Sequence, residues 1–255
     1  MKERILTALV LFAIVVGVLF LDPTGVGRYL LVGLAVLSIA YELAQLLQTS
    51  PVLLAVVSCI WYLVGARNLH DPPFLFAVLF LCTGTIGCTL TPCRKLDSGR
   101  LFSSGWFLAG ASIGLLGLIG VPSAFPAILT AAIPIWAGDT AAIFAGKAFG
   151  KHKLAPSISP NKTWEGSIAN LLAAVGAAAA LGYFLKYPID KMLLLGVSCG
   201  VIGQLGDLFE SYLKRQAGVK DSGNLLPGHG GVFDRLDSLL MTAPFSYWIL
   251  SSFLK

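Results

Sequence analysis

Two pairs of carboxylates stand three residues apart toward the C-terminal end of the sequence: Asp207 with Glu210, and Asp234 with Asp237. Residues at that spacing share one face of a helix, so each pair aims two oxygen-bearing groups the same way. Carboxylate oxygens gathered from two neighbouring helices suit a hard cation, magnesium above all. Interfacial charges paired with Lys214 and Arg215 are the plainer alternative. Between the two pairs run Lys214, Arg215, Lys220 and Asp221, followed by Pro227-Gly228-His229-Gly230-Gly231 and then Asp234-Arg235. Such a loop leaves backbone N–H groups, those of Gly230 and Gly231 among them, free to approach an anion, and it leads into a helix N-terminus that favours phosphate. His229 suits a general acid or a phosphate ligand, and equally a turn residue that hydrogen-bonds its own loop.

A second polar patch lies upstream. Gly138-Asp139-Thr140 sits inside an apolar run, Gly146-Lys147 closes it, and Ser159-Pro160-Asn161-Lys162-Thr163-Trp164-Glu165-Gly166 follows. Asn161, Lys162 and Thr163 after a proline turn are suited to grip a triphosphate or a base edge. Lysine supplies point charge without fixed geometry, which suits a flexible polyphosphate. Lys147 and its neighbours read either in that role or as a basic anchor at a membrane edge.

The elements that must position these groups are set by hydropathy. Of 255 residues, 56% are hydrophobic and 12% charged, and the mean hydropathy is +0.81. An ordinary soluble domain carries about 25% charged residues. Both a water-soluble enzyme and intrinsic disorder are therefore excluded. Apolar runs of about 17–23 residues approach the length a helix needs to cross a bilayer. The runs are continuous rather than alternating, which argues against a β-barrel. The expected fold is all-α: a polytopic integral membrane protein with about nine transmembrane helices, over 5–21, 29–47, 52–66, 74–90, 101–120, 124–146, 167–185, 192–213 and 236–254. With the N-terminus inside, the inner face holds 13 of the 18 basic residues and leaves Arg28, Arg67, Lys186, Lys191 and Lys255 outside. That bias predicts a cytoplasmic N-terminus and places the polar loops 147–166 and 214–235 on the cytoplasmic side, where nucleotides are.

Two regions emerge: a bland N-terminal transmembrane scaffold, 1–120, and a C-terminal catalytic region, 121–255. Gly196, Gly200 and Gly203 form a small-residue face that Asp207 continues, so its carboxylate is expected in a tight helix contact, away from lipid. Intramembrane acids are costly and usually functional. The five cysteines, Cys59, Cys82, Cys88, Cys93 and Cys199, contain no Cys-x-x-Cys pair and read as small core residues. The net charge of +5 is spread along membrane edges, which fits anionic headgroups or phosphate substrates and not nucleic acid.

The stretch from Ser211 to Asp237 carries Ser211-Tyr212-Leu213-Lys214-Arg215, Lys220-Asp221-Ser222-Gly223, Leu226-Pro227-Gly228-His229-Gly230-Gly231 and Asp234-Arg235-Leu236-Asp237. It resembles the signature of the phosphatidate cytidylyltransferases, the CDP-diacylglycerol synthases. Asp139-Thr140 and the segment from Ser159 to Gly166 are similar to that family too, while Ile143 stands where it often has an aromatic residue. The resemblance implies that CTP and phosphatidate give CDP-diacylglycerol and pyrophosphate at a cell inner membrane, in a homodimer. It implies a divalent metal, Mg2+, held by Asp207 and Asp234 with Asp237 close by, and leaves room for a second, monovalent cation. Lys214, Arg215, Lys220 and Arg235 would meet phosphates, and Asn161, Lys162 and Thr163 the nucleotide. The absence of a Ser-His-Asp arrangement follows, because the attacking phosphate is already anionic. Two other readings remain: a related CTP-dependent transferase acting on another membrane lipid, and a cation-coupled transporter using Asp139 and Asp207.

Overall fold

The computed structural model describes residues 9–10, 13–14, 16–18, 26–56, 58–59, 73–90, 98–121 and 124–254. Within them lie seven long helices: α1 (Val26–Leu46), α2 (Pro73–Leu90), α3 (Ser98–Gly120), α4 (Ala124–Phe149), α5 (Trp164–Leu185), α6 (Ile189–Gln216) and α7 (Phe233–Ser251). Between α4 and α5 stands a small antiparallel hairpin, β1 (Lys153–Ala155) with β2 (Ser159–Thr163), pairing Lys153 with Thr163 and Ala155 with Ser159. The fold is thus all-α apart from this hairpin, which lies within the stretch 147–166 expected as loop, whose two ends belong to α4 and α5.

Five helices among the described residues are long and apolar enough to cross a membrane: α1, α5, α6, and the segments Leu101–Gly120 of α3 and Pro126–Phe149 of α4. The chain is a multi-pass membrane protein. Helix α2 contributes a shorter apolar stretch, Ala77–Thr89. Helix α7 falls outside the five, because Asp234, Arg235, Asp237 and several hydroxyl side chains dilute its hydropathy. The expected spans 5–21 and 52–66 lie largely outside the described residues, as does Cys93. The remaining cysteines are free thiols. Cys88 and Cys199 are buried as expected, whereas Cys59 and Cys82 are exposed and are not core residues.

Packing follows the small residues. Helices α4, α5, α6 and α7 contact one another in chain order, and α7 closes onto α3, which carries α2. Without a strong hydrophobic drive between helices in lipid, close backbone approach supplies the packing. At Gly200 an added Cβ would meet the Leu171 backbone of α5 at 2.9 Å, and at Gly206 it would meet the Asp237 carbonyl of α7 at 2.7 Å. The glycine face of α6 is therefore the seam against which both neighbours close, and the approach at Gly206 draws Asp237 to the level of Asp207. Phe107 of α3 locks the other side, its ring centroid 5.1 Å from Phe209 and 6.2 Å from Phe233.

Candidate active site

Three carboxylates converge where α6 and α7 meet. Asp207, Glu210 and Asp237 each offer one oxygen, and these atoms lie within 4.8 Å of one another. The three-residue spacing on α6 aims Asp207 and Glu210 together, and the Gly206 contact supplies Asp237 from the facing helix. Glu210 is buried, and its Oε1 has no hydrogen-bond partner among the described residues. A buried carboxylate oxygen left unpaired is costly, and a cation at this point would satisfy it.

Asp234, expected with Asp207 and Asp237 as a metal ligand, is engaged differently. Its Oδ2 accepts from Ser222 N, Ser222 Oγ and Gly231 N, each at 2.9 Å, while Oδ1 accepts from Lys214 Nζ at 2.6 Å. Glu210 takes its place in the converging trio. Burial alone would raise the Asp234 carboxyl, but the neighbouring Glu210 carboxyl, the Lys214 ammonium and the N–H groups of Gly231 and Ser222 outweigh it and hold it at about 2. Gly231, expected to keep its N–H free for an external anion, spends it on this internal one. Gly230 adopts φ +87, a left-handed conformation that glycine alone reaches without strain, and its carbonyl accepts from Leu226 N to close the turn.

A cavity of about 360 Å³ opens beside the trio, lined by Asp139, Asp207, Glu210, Lys214, Arg215, Lys220, Asp221, Asp234, Arg235, Asp237 and Ser238. Six carboxylates against four cations leave it formally negative, so a polyanion enters only with added positive charge. A second cavity of about 320 Å³, lined by Asp139, Ala142, Ile143, Leu154, Asn161, Lys162, Thr163, Gly166, Ser167, Asn170, Gln204 and Asp207, adjoins it. Asp139 and Asp207 belong to both walls. Asn170 Nδ2 donates to Asp139 Oδ1 at 3.1 Å, and Lys162 Nζ lies 2.6 Å from Asp207 Oδ2. Lys162 thereby joins the hairpin to the carboxylate group across the boundary between the cavities.

The remaining expected residues divide. Lys214 bridges Glu210 at 2.7 Å and Asp234 at 2.6 Å. Arg215 donates through Nε to the Ile158 carbonyl and through Nη1 to the Val219 carbonyl, bracing the hairpin against the loop. Arg235 donates through Nε and Nη2 to the His229 carbonyl. Thr163 is the N-cap of α5, its hydroxyl accepting from Gly166 N at 3.1 Å. Lys220 and Asp221 line the charged cavity from the exposed loop. Lys147 is exposed, and neither it nor His229, Gly230 or Gly231 lines either cavity; the Gly-rich turn builds the wall from behind.

One residue escaped the sequence reading. Glu42 of α1 is fully buried and reaches the same loop, accepting from Val232 N at 2.8 Å, Phe233 N at 2.9 Å and Ser222 Oγ at 2.9 Å. A lone acid in an apolar helix was the available signal.

The sequence pattern of the cytidylyltransferase family matches residues 2–253. A phosphatidate cytidylyltransferase of Brucella suis biovar 1 (strain 1330) is 36% identical over 253 residues, 97% of this chain and 92% of that protein. The protein of that name from Bacillus subtilis (strain 168) is 48% identical over 128 residues, 49% of this chain and 48% of its own. Its counterpart in Staphylococcus aureus (strain COL) is 50% identical over 119 residues, 46% of each chain.

Proposed function

This chain belongs to the cytidylyltransferase family, and on that premise we propose that it transfers CMP from CTP to phosphatidate, giving CDP-diacylglycerol and pyrophosphate for phospholipid biosynthesis. The observation that carries the reading is the pair of adjoining cavities with Asp139 and Asp207 in their common wall. The partly apolar one suits a nucleoside, the charged one suits phosphates, and the carboxylate trio stands beside the junction.

An oxygen of the phosphatidate phosphate attacks the α-phosphorus of CTP. The new O–P bond forms as the bond to the β-phosphate oxygen breaks in line, and the electron pair leaves on pyrophosphate. A phosphate monoester has a second pKa of about 6 and is largely dianionic at neutral pH, so no strong base is required. The difficulty is bringing two polyanions together. Lys220, Arg215 and Arg235, at the cavity wall, neutralise phosphate charge, and Lys162 can turn from Asp207 to the nucleotide. Fixed positions for these groups supply orientation and electrostatic stabilisation.

Mg2+ would be held by Asp207, Glu210 and Asp237, whose convergence and unpaired Glu210 oxygen fit it; bound there, it supplies positive charge and Lewis acidity toward phosphate. Asp234 then serves by holding Lys214 and the loop. The formally negative wall leaves room for a second, monovalent cation. We further propose nine spans, a cytoplasmic N-terminus and a site on the cytoplasmic side of the cell inner membrane, from the inward bias of basic residues. Residues 1–120 serve chiefly as scaffold and 121–255 as the catalytic region, in a homodimer. The diacyl substrate enters from the bilayer with its headgroup at the inner surface.

The test is incubation of purified protein with phosphatidate and CTP. Lipid-linked CMP with release of pyrophosphate supports the reading. Lipid phosphorylation without CMP attachment would instead indicate another CTP-dependent reaction.

A further inference from the structure

Helix α7 begins at Val232, which caps with no side-chain hydrogen bond of its own. The first N–H groups of a helix have no partner inside it, and here they point into protein. Glu42 supplies the missing acceptors from α1, 190 residues away in sequence from Val232 and 191 from Phe233. A fully buried carboxylate loses its hydration at a cost of several kcal/mol; two N–H donors at the positive end of a helix and the Ser222 hydroxyl offset that loss. The fit is close. A Cβ at Gly231 would collide with Ser222 Oγ and Glu42 Oε2, and one at Gly223 would lie 2.9 Å from Glu42 Cδ. The loop is thus wrapped around this one side chain. Ser222 Oγ lies 2.9 Å from both Glu42 Oε2 and Asp234 Oδ2. With one proton to donate, the hydroxyl bonds one carboxylate at a time, and either choice pins the loop between α1 and α7. From Asp234 the contacts continue through Lys214 Nζ to Glu210.

We propose that Glu42 is a positioning residue of the active site: from the N-terminal half of the chain it templates the loop 222–233 and, through Ser222, sets Asp234, Lys214 and Glu210 in place. These bonds connect Glu42 to the carboxylate group although Glu42 itself lines neither cavity. The kinetic part of its test rests on the transfer reaction proposed above; the structural part does not.

Glu42→Gln keeps the shape but removes the charge and turns an N–H2 toward backbone donors. Hydrogen exchange of full-length wild type and variant in detergent reads the consequence directly. Weakening one or two hydrogen bonds to a charged acceptor, at about 1.5–3 kcal/mol, should speed exchange across 222–235 by about tenfold to hundredfold. In the CMP-transfer assay the variant should show a lower kcat and a raised Mg2+ concentration for half-maximal rate. A merely structural defect lowers the folded fraction and leaves that half-saturation point unmoved. Exchange at the wild-type rate overturns the proposal. Faster exchange with an unmoved Mg2+ dependence overturns the positioning role and leaves a helix cap only. Should Glu42→Gln not fold, Ser222→Ala breaks the same relay with less disturbance; it is expected to loosen 222–235 and raise the Mg2+ requirement, and wild-type behaviour in both refutes the relay. If wild type transfers no CMP, the transfer reading fails and the exchange comparison alone decides the role of Glu42.

Discussion

Replacing Lys214 by Met should damage the fold more than any other single change at the site. The ammonium lies 2.7 Å from Glu210 Oε2 and 2.6 Å from Asp234 Oδ1, and the three side chains are 11%, 2% and 8% exposed. Solvent screens such groups little, so removing the cation leaves two buried carboxylates facing each other. Breaking a buried pair in this way costs about 3–5 kcal/mol. At about 2–4 °C per kcal/mol for a chain of this size, thermal unfolding in detergent with chelator should shift down by about 6–20 °C. The double variant Lys214→Met with Glu210→Gln should recover part of the loss, because one of the stranded charges is gone; a coupling of about 0.5–3 kcal/mol is expected. Mg2+ should narrow the gap between Lys214→Met and wild type, since without the Lys214 cation the folded carboxylate group is more negative and holds the ion more tightly. A shift below about 1 kcal/mol, within the range of an exposed ion pair, or strict additivity in the double variant, would refute the reasoning.

Other perturbations separate the roles of the site residues. Asp207→Asn should abolish CMP transfer while leaving the thermal midpoint near wild type, because its partner Lys162 is partly exposed; retained turnover removes Asp207 from the ligand set. Asp234→Asn should also abolish transfer, and its pH behaviour is distinctive. The carboxyl falls from an ordinary value of 3.8 to about 2 on folding, so its contribution is whole above pH 4 and fades as the pH drops toward 2. Wild type should therefore lose more stability than Asp234→Asn across that interval, and equal losses count against the hydrogen-bonded state described. Lys220→Ala should slow transfer with an unchanged midpoint, as the side chain is exposed on the loop; wild-type kinetics would exclude it from phosphate binding. Cys93→Ser should be silent in the same assay, and a large loss would give that thiol a role.

Much of the site is legible in the sequence because it is local. Asp207 and Glu210, three residues apart on α6, converge as that spacing implies, whereas Asp234 and Asp237 part company, and the glycines of α6 foretell a close helix approach without saying which helices make it. Among the described residues the long apolar runs give the seven helices to within a few residues, since burial in lipid imposes composition directly. What the sequence hides is non-local or depends on competition for a group. Asp234 and Glu210 are both acids at the right height, and only the Ser222 and Gly231 donors decide that Asp234 holds the loop while Glu210 faces Asp207 and Asp237. The Gly231 N–H looked free for a ligand because its intramolecular acceptor sits three residues ahead on a helix whose start is set by tertiary contacts. Glu42 was invisible as a site residue because its partners lie 180 residues or more downstream. The hairpin 153–163 was concealed by its shortness, two strands of three and five residues with no alternating hydrophobic pattern.

The central claim is that α6 and α7 assemble a carboxylate group at which a soluble nucleotide meets a lipid phosphate. Its most direct test is transfer of label from CTP marked at the α-phosphorus into phosphatidate, measured with Mg2+ and again with excess chelator. A labelled CDP-diacylglycerol with one pyrophosphate released per lipid is expected, and loss of both on chelation. Label that never reaches lipid, or transfer indifferent to chelation, would contradict it.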